Sequence, residues 1–515
     1  MEYSEEMENC PRAATPSIIQ EFKIEGLHGY RNISLSSNYA ATIIIAKNGS
    51  GKTTLLGALD AFLKGQFSRL FHLQFERITC RIQGIEEPLI INRHEIDRIY
   101  SPNTEESDIS VYSKRLSIDP FTLIEFLESS TDEEPYDDEV FDKIRSAVGH
   151  NRLEARKLCE RLRYSLYARS PQLHEILKRL KWALADIEIV YLPTYRRIEL
   201  PLNLDGEDRK RYGYPRRRRN LQSRLGITKH SLHNADIQFG LSDISDRLSG
   251  LNQEILYSSN QGYREISANI INELIDGDFE KINPSEDQLP DREALSLFFS
   301  RIKDNRHISP YSDVSIPNMD KIYNNEIPYE SNKFLTYFLS KLNSVVEATR
   351  GIELVVEEFI SNCNRYLSAQ DESTALHSSE DREMSIPPSM DDKKLTLDRR
   401  TLKVNVESLI TKRRLPLDSL SSGEKQMISL FARLYLYPKK KIFLIDEPEL
   451  SLSLDWQSKI LVDAMNAPSC VQIIAITHSP FVFDNALEPF AKAIDLEITT
   501  GRIDDYFIDE EDLSE

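Results

Sequence analysis

Short runs of Ile, Val and Leu alternate with helical patterns in two segments of the chain, a pattern typical of a parallel α/β sheet. The first segment covers about residues 18–93 and contains the runs IIQEFKI, ATIIIA and RITCRI, with a helix predicted from about Lys52. The second covers about residues 394–500 and contains KKIFLID, VQIIAIT and AKAIDLEI. We therefore predict one α/β domain that is built from both ends of the chain.

The long stretch between these segments follows a different pattern. Apolar side chains recur there at helical spacing, at positions 158, 162 and 166 and again at 334, 335, 338 and 342. Prolines at 135, 171, 193, 290 and 310 interrupt the helical stretches, which argues against one long coiled coil. One strand is predicted near 186–192, and KLTLDRRTLKVNV predicts a β-hairpin.

A glycine-rich loop follows one of the predicted strands. Residues 46–53 read AKNGSGKT and stand between the strand ATIIIA and a predicted helix. A bound phosphate chain needs inward-pointing backbone N–H donors, a helix N-terminus and a fixed cation. The candidates for these contacts are Asn48, Gly49, Ser50, Gly51, Lys52, Thr53 and Thr54.

In this loop Lys52 would supply the cation, and the Thr53 hydroxyl would bind Mg²⁺. Ala46 stands where the pattern GxxxxGK[ST] has its first glycine, a position that needs a small residue more than a phosphate contact. The alternative is an ordinary glycine-rich turn. The strand before the loop and the helix after it favour the phosphate loop.

A second candidate is an apolar strand, IFLIDE, that ends in two acids. The carboxyl ends of parallel strands are where α/β sheets present side chains to a ligand. Asp446 would hold Mg²⁺, and Glu447 would polarise the attacking water. Structural turns also end in this way, so the motif gains its value from being paired with the phosphate loop.

Two further motifs are ambiguous when taken alone. LSSGEKQ places Ser421 and Gly423 at a helix start, which predicts either an anion-binding N-terminus or an ordinary cap with Glu424 in the first turn. His478 ends the strand VQIIAIT, where it is either structural or a sensor for the γ-phosphate.

The order of these motifs resembles that of the ABC-class ATPases, which include the SMC, RecF and OLD families. The resemblance implies ATP and Mg²⁺ as cofactors, Glu447 as the catalytic base and His478 as the switch histidine. It also implies a homodimer, with a higher oligomer as a second option, in which LSSGE of one protomer completes the ATP site of the other. The residues that would contact the partner's nucleotide are Ser421, Ser422, Gly423 and Glu424.

The opening stretch EGLHGYRNISL resembles the start of OLD- and RecF-like domains, which places Arg31 near the adenine. A glutamine loop is also implied, and both Gln66 and Gln74 are candidates for it.

With this resemblance we predict an α/β fold, a P-loop ABC-type ATPase head split by a large, mainly helical insertion. The predicted parts are an acidic arm at 1–16, the N-terminal part of the head at 17–95, the insertion at 96–393, the C-terminal part of the head at 394–500 and an acidic tail at 501–515.

Composition limits the classes of protein further. No apolar run is long enough to span a bilayer, and the N-terminus is acidic, unlike a secretory signal. The five cysteines lie far apart without a CxxC pair, which fits a reducing cytoplasm and argues against a zinc site. We therefore expect a cytoplasmic protein that does not bind a membrane.

The net charge of −19 disfavours a protein that is coated with nucleic acid, but local basic stripes can still bind it. Residues Arg209 to Arg224 hold eight basic side chains, two tyrosines and no acid. This run is either a nucleic-acid site or a loop that is solvated or docks on acidic segments of the same chain.

The size of the insertion argues against a transporter subunit. The chain ends about forty residues after His478, so we expect no nuclease domain of the OLD type. The layout resembles the stand-alone ATPases of anti-phage systems, above all the Septu/retron-type PtuA subunits and then the PARIS ATPase. The resemblance implies an ATPase that senses infection and controls a separate effector or nuclease. The alternative is a DNA repair or recombination ATPase of the RecF/SMC type.

Overall fold

The computed structural model describes ten stretches of the chain. They are residues 10–47, 49–100, 108–129, 139–193, 241–276, 289–304, 316–324, 326–368, 393–415 and 419–498. The chain forms two compact units, one of residues 1–238 together with 439–515 and one of residues 239–438. The basic run from Arg209 to Arg224, the acidic tail and Asn48 lie outside the described residues.

The first unit contains two five-stranded sheets and eight α-helices among the described residues. Its strands are β1 (Ile19–Leu27), β2 (Arg31–Ser36), β3 (Ala41–Ile45), β4 (Arg77–Ile82), β5 (Leu89–Asn92), β6 (Ile187–Leu192), β10 (Lys440–Asp446), β11 (Cys470–Thr477), β12 (Ala491–Ala493) and β13 (Asp495–Ile498). Its α-helices are α1 (Lys52–Leu63), α2 (Arg93–Tyr100), α3 (Asp108–Leu116), α4 (Pro120–Ser129), α5 (Glu139–Ala147), α6 (Arg152–Tyr167), α7 (Pro171–Ala183) and α13 (Leu454–Asn466).

One of these sheets is parallel and has the strand order β12-β3-β11-β10-β6. Residues of β3, β10 and β11 are buried almost without interruption, as expected for strands that are covered on both faces. The register pairs Ile45 with Thr477 and Asp446 with Ile476. The carboxyl ends of three strands therefore meet at one edge of the sheet.

The other sheet has the order β13-β2-β1-β4-β5 and its strand pairs are antiparallel. The assignment of IIQEFKI, RITCRI and the end of AKAIDLEI to a parallel sheet was therefore wrong. The physical reason is visible in β1, where Phe22 and Ile24 are buried while Lys23 and Glu25 are partly exposed. A strand with one buried face is typical of an antiparallel sheet.

Helices α2 to α7 pack on the same hydrophobic core as the two sheets. At their centre the buried carboxylate of Glu128 accepts hydrogen bonds from Tyr100, from Tyr167 at 2.8 Å and from the backbone N–H of Ser68 at 3.0 Å. Burial raises the pKa of the Glu128 carboxyl. This carboxyl joins α2, α4 and α6 to the segment that follows α1.

The second unit consists of long helices and a small sheet. Its α-helices are α8 (Leu241–Ile275), α9 (Arg292–Asp304), α10 (Met319–Tyr323), α11 (Tyr329–Leu367) and α12 (Ser422–Tyr435). Its strands are β7 (Lys393–Asp398), β8 (Lys403–Ser408) and β9 (Arg414–Leu415), which form an antiparallel sheet. The predicted hairpin at KLTLDRRTLKVNV is confirmed.

Helices α8 and α11 are the long helices of this unit, with 35 and 39 residues. They run antiparallel, since Gly262 lies against Val345 while Glu273, further along α8, accepts a hydrogen bond from Tyr337, earlier in α11. Neither helix contains a proline, which agrees with the predicted breaks. Pro290 precedes α9, so it does not interrupt either long helix.

The predicted division of the chain at 95, 393 and 500 stays a prediction. The two compact units divide the chain at other places. Helices α2 to α7, which lie in the predicted insertion, belong to the first unit, and the helix that starts at LSSGEKQ belongs to the second. None of the helices in the described stretches is long and apolar enough to cross a membrane. All five cysteines are buried free thiols.

Gly262 allows α8 and α11 to approach closely, and a Cβ atom there would lie 2.5 Å from Cγ2 of Val345. We expect Gly262→Ala to lower the melting temperature, since overpacking costs about 1–3 kcal/mol and outweighs a gain of about 1 kcal/mol in helix propensity. Gly250→Ala in the same helix is the matched control, because its Cβ would meet nothing within 4 Å.

Thermal unfolding of the full chain measures both variants. Gly250→Ala should raise the melting temperature, and about 1 kcal/mol corresponds to roughly 2–4 °C for a unit of this size. Equal shifts in the two variants would contradict close packing at Gly262.

Candidate functional site

The loop between β3 and α1 has the backbone that a phosphate-binding loop requires. Gly49 and Gly51 have φ angles of +81° and +89°, in the left-handed region that favours glycine. Space is open beside Gly49, where an added Cβ would meet nothing within 4 Å. The backbone N–H of Ala46 donates to the carbonyl of Thr477 at 3.2 Å, which ties the loop to the end of β11.

Lys52 is the first residue of α1 and its side chain is only 6% exposed. Its Nζ lies 3.0 Å from Oε1 of Glu447, to which it donates a hydrogen bond. The lysine of the glycine-rich loop and the second acid of IFLIDE are therefore adjacent, although 395 positions separate them in the sequence.

Thr53 and Asp446 form the second pair that joins the two motifs. The Thr53 hydroxyl donates to Oδ2 of Asp446 at 2.7 Å. Asp446 is the last residue of β10 and is buried. Thr54 follows in the first turn of α1.

Glu447 has a left-handed backbone, with φ of +53°. Its N–H donates to the carbonyl of Ile476 at 2.9 Å, and its own carbonyl accepts from Leu450 at 3.2 Å. A non-glycine residue in this conformation costs on the order of 1–3 kcal/mol, and such residues cluster at functional sites. Here the sheet and the following turn hold the carboxylate above the strand end.

His478 reaches the same carboxylates from the end of β11. Its Nδ1 lies 3.7 Å from Oε1 of Glu447 and 3.2 Å from Oε1 of Glu449. Glu449 also accepts from the backbone N–H of His478 at 3.2 Å. The imidazole is 46% exposed, so one side of it is open to a ligand.

Glu449 and Gln457 are site residues that the sequence reasoning missed. Glu449 is buried and orients His478, while Nε2 of Gln457 donates to the carbonyl of Leu452 at 3.0 Å. Ser479 donates to Oε1 of Gln457 at 3.0 Å. The only sign of Glu449 in the sequence was its position as a third acid directly after IFLIDEP. The pattern of two adjacent acids does not include it.

Arg31 lies beside the glycine-rich loop. Its Nη1 donates to the carbonyl of Gly49 at 3.4 Å, and its guanidinium carbon lies 4.6 Å from the centre of the Tyr30 ring. Tyr30 is 42% exposed. A role of Arg31 at the adenine stays a prediction.

The two candidates for the glutamine loop have different surroundings. Oε1 of Gln66 accepts from Arg69 at 2.7 Å, and Arg69 is ion-paired with Asp60 of α1 at 2.6 Å. The backbone carbonyl of Gln74 accepts from His28 at 3.0 Å. The choice between them stays open.

LSSGEKQ belongs to the second unit and starts α12. Ser421 is the N-cap residue, whose hydroxyl accepts from the N–H of Glu424 at 3.3 Å. Oε2 of Glu424 accepts from the N–H of Ser421 at 2.6 Å, which completes a capping box. The cap is present in the single chain, and the predicted contact of Ser421, Ser422 and Gly423 with a partner's nucleotide stays a prediction.

Lys393 is another residue that sequence reasoning missed. It is buried at the start of β7, and its Nζ lies 3.0 Å and 3.2 Å from the two carboxylate oxygens of Glu424. Lys393 therefore fixes the carboxylate that caps α12. Its place in the hairpin gave no hint of this contact, which depends on how the hairpin packs against α12.

The residues of the first unit fit a nucleotide with Mg²⁺. The Oγ of Ser50 is buried and has no hydrogen-bond partner among the described residues, as expected of a donor meant for a ligand. Mg²⁺ at nucleotide sites is held by one or two protein groups together with phosphates and water. The hydroxyl of Thr53 and the carboxylate of Asp446 fit that requirement without a larger cluster of acids, and the described residues contain no such cluster.

A family model for an AAA ATPase domain, AAA_15, matches residues 18–483. No curated protein has a sequence similar enough to be matched to this chain. The Smc head domain of Pyrococcus furiosus, with an extended coiled coil and bound to the C-terminal domain of ScpA, has 13% sequence identity. Its alignment covers 93% of this chain and 96% of that one, with a TM-score of 0.34.

A second structure, an SmcHead bound to the C-winged helix domain of ScpA, has 11% sequence identity to this chain. Its alignment covers 94% of this chain and 98% of that one, with a TM-score of 0.31. The family match extends over far more than half of the sequence and includes the phosphate loop, IFLIDE and ITHSP. The predicted fold class, an α/β ATPase fold with a large helical insertion, is confirmed. The chain belongs to the AAA_15 family of AAA ATPase domains.

Proposed function

We propose that this ATPase binds ATP with Mg²⁺ at the edge where β3, β10 and β11 end, and hydrolyses it there. One observation carries the proposal: Lys52, Thr53, Asp446, Glu447 and His478 converge at this edge through contacts of 2.7–3.7 Å. A cation, a hydroxyl, two carboxylates and an imidazole are the groups that phosphoryl transfer to water needs.

Each side chain has a separate task in this proposal. Lys52 neutralises charge on the terminal phosphates, and the N–H groups at the start of α1 bind phosphate oxygens. Thr53 and Asp446 hold Mg²⁺, which neutralises the charge that develops on the phosphate oxygens. Glu447 accepts a proton from the attacking water. His478 is oriented by Glu449 and donates a hydrogen bond to the γ-phosphate.

Lys52 and Glu447 are ion-paired in the structure, so nucleotide binding has to separate them. When Lys52 turns to the phosphates, the carboxylate of Glu447 loses its cationic partner and becomes free to act on water. This exchange links ATP binding to the activation of the base.

We further propose that two copies face each other and that Ser421 to Glu424 of one copy complete the site of the other. The capping box at Ser421 presents the N-terminus of a 14-residue helix, a natural site for an anion. The proposal includes a homodimer and leaves room for a higher oligomer.

In the cell we propose a cytoplasmic subunit of a prokaryotic anti-phage system that controls a separate effector or nuclease. The motif order and the resemblance to stand-alone defence ATPases support this proposal. The test is phage plating on cells that express the chain with its neighbouring gene. Protection should need both genes and an intact Lys52, whereas a phenotype limited to sensitivity to DNA damage would favour the repair alternative.

The first prediction separates chemistry from binding. Glu447→Gln keeps the shape of the side chain but removes the base, so ATP turnover should fall on the order of a hundredfold or more while ATP affinity is retained. Steady-state hydrolysis and calorimetry measure the two quantities. Glu488→Gln, an exposed acid far along the chain, is the control. Normal turnover in Glu447→Gln would show that this residue is not the base.

The second prediction tests the shared site. Ser421→Arg should leave ATP binding intact and block hydrolysis, and Lys52→Ala should abolish tight binding. A mixture of the two chains should recover part of the activity, because one site of the mixed dimer carries both lesions and the other carries none. No recovery, with mixed dimers shown to form, would count against independent shared sites.

Ser421→Asp is the matched variant for this test. It keeps an N-cap acceptor, whose loss costs about 1 kcal/mol, but it places a negative charge beside the phosphate. Inactivity of both Ser421 variants would support contact with the nucleotide. If only Ser421→Arg loses activity, Ser421 acts as a helix cap.

The third prediction concerns Lys393 as a positioning residue. Lys393→Met leaves the Glu424 carboxylate without its cation, so we expect kcat to fall roughly tenfold while KM and ATP affinity stay nearly unchanged. Lys393→Arg should restore much of the loss. The control is Lys394→Met, because Lys394 is more exposed and faces Glu407 instead. An equal change in kcat for both methionine variants would contradict the assignment.

A further inference from the structure

Helices α3 and α6 line an open cavity of about 260 Å³ whose walls carry three cations, Arg115, Lys157 and Arg161. Tyr112 lies at its centre, with the guanidinium carbon of Arg161 5.6 Å and that of Arg115 6.0 Å from the ring centre. Nη2 of Arg161 donates to the Tyr112 hydroxyl at 2.6 Å. Lys157 and Glu154 complete the polar lining.

These cations are available to a ligand. Among the described residues no carboxylate lies within ion-pair distance of Arg115 or Arg161, and both guanidinium groups lie over the ring of Tyr112. Lys157 is ion-paired with Glu154 at 3.0 Å, but both side chains are more than half exposed. An exposed ion pair of this kind contributes little to the stability of the fold, so a ligand can separate its two side chains at a small cost in free energy.

The same face continues along two helices. Lys157, Arg161 and Tyr164 follow each other at spacings of four and three residues, which places them on one side of α6. His174 on α7 contacts the ring of Tyr164, with 6.4 Å between ring centres. On α7 the four-residue spacing then leads from His174 to Lys178 and Trp182.

Two aromatic side chains on this face are unusually exposed. Tyr164 is 70% and Trp182 is 72% exposed. Each has a free ring face on which a base could stack, and base stacking on aromatic side chains contributes about 1–3 kcal/mol.

The charge of this region is opposite to that of the whole protein. Residues 139–183 contain eleven Lys and Arg and five Asp and Glu, whereas the full chain has a net charge of −19. A basic patch on an acidic protein is a local feature that favours a polyanion. The eight residues from Lys157 to Tyr164 span about 10 Å, and the nine from His174 to Trp182 span about 12 Å. Each span is longer than one nucleotide.

We propose that the face formed by Tyr112, Arg115, Lys157, Arg161, Tyr164, His174, Lys178 and Trp182 binds single-stranded nucleic acid. The cations around Tyr112 bind the phosphate backbone, and Tyr164 and Trp182 stack on bases. This site is separate from the basic run at Arg209 to Arg224 and does not depend on the proposed hydrolysis of ATP.

The test is binding of fluorescein-labelled (dT)20 and (rU)20 to the full chain, followed by anisotropy at several salt concentrations. The variant Arg115→Ser/Lys157→Ser/Arg161→Ser should bind about tenfold or more weakly. The slope of log affinity against log salt should become shallower by about 2, since three phosphate contacts on a single strand are removed. ATP binding serves as the check that the variant folds.

The control variant is Lys403→Ser/Arg413→Ser/Arg414→Ser, which removes the same charge from exposed positions of the second unit. It should bind like the wild type. An equal loss of affinity in the two variants would show that binding depends only on net charge, and it would overturn the proposal. An unchanged affinity and slope in the Arg115 variant, or no binding by the wild type, would also overturn it.

Stacking has its own readout, because the chain has only two tryptophans. Binding of (dT)20 should quench tryptophan fluorescence in the wild type and not in Trp182→Phe, which keeps a ring and most of the affinity. Trp182→Ser should weaken binding by about tenfold, as expected for one lost stack. Quenching that persists in Trp182→Phe would overturn the role of Trp182.

Discussion

The ion pair between Lys52 and Glu447 depends on the parallel pairing of three strands. β3 and β10 each pair with β11, so the glycine-rich loop and the two acids end at the same edge despite 395 intervening positions. Most of the helical insertion lies within that gap in sequence. The site therefore forms only when both ends of the chain fold together, and the contact of Thr53 with Asp446 at 2.7 Å has the same origin.

The second unit organises its part of the proposed site in another way. Its hairpin is fixed at the turn, where Arg399 lies 3.2 Å from Glu357 and 3.6 Å from Glu353 of α11. At the other end of the same hairpin, Lys393 binds the capping carboxylate of Glu424. Separate ion pairs at the two ends of this hairpin thus join it to a 39-residue helix and to the start of α12.

The helices α2 to α7 give the first unit a rigid extension with a distinct surface. Inside, the carboxyl of Glu128, whose pKa is raised by burial, accepts hydrogen bonds from two tyrosine hydroxyls and from Ser68. The helices thus share one core with the ATPase sheets. Outside, the same helices carry an excess of basic side chains. A protein with an acidic total charge can in this way keep one cationic face.

The sequence by itself determined the positions of most strands, the glycine-rich loop, the hairpin and the capping residues, because each depends on neighbours a few positions away. It did not predict β2, β5 and β9. It did not determine that β1 and β4 join an antiparallel sheet, since apolar runs do not specify their partners. The lengths of α8 and α11 depend on their mutual packing. Glu449 and Lys393 acquire their roles through contacts at 29 and 31 positions' separation. Only the tertiary structure decides such contacts, because local patterns carry no information about which distant side chains meet.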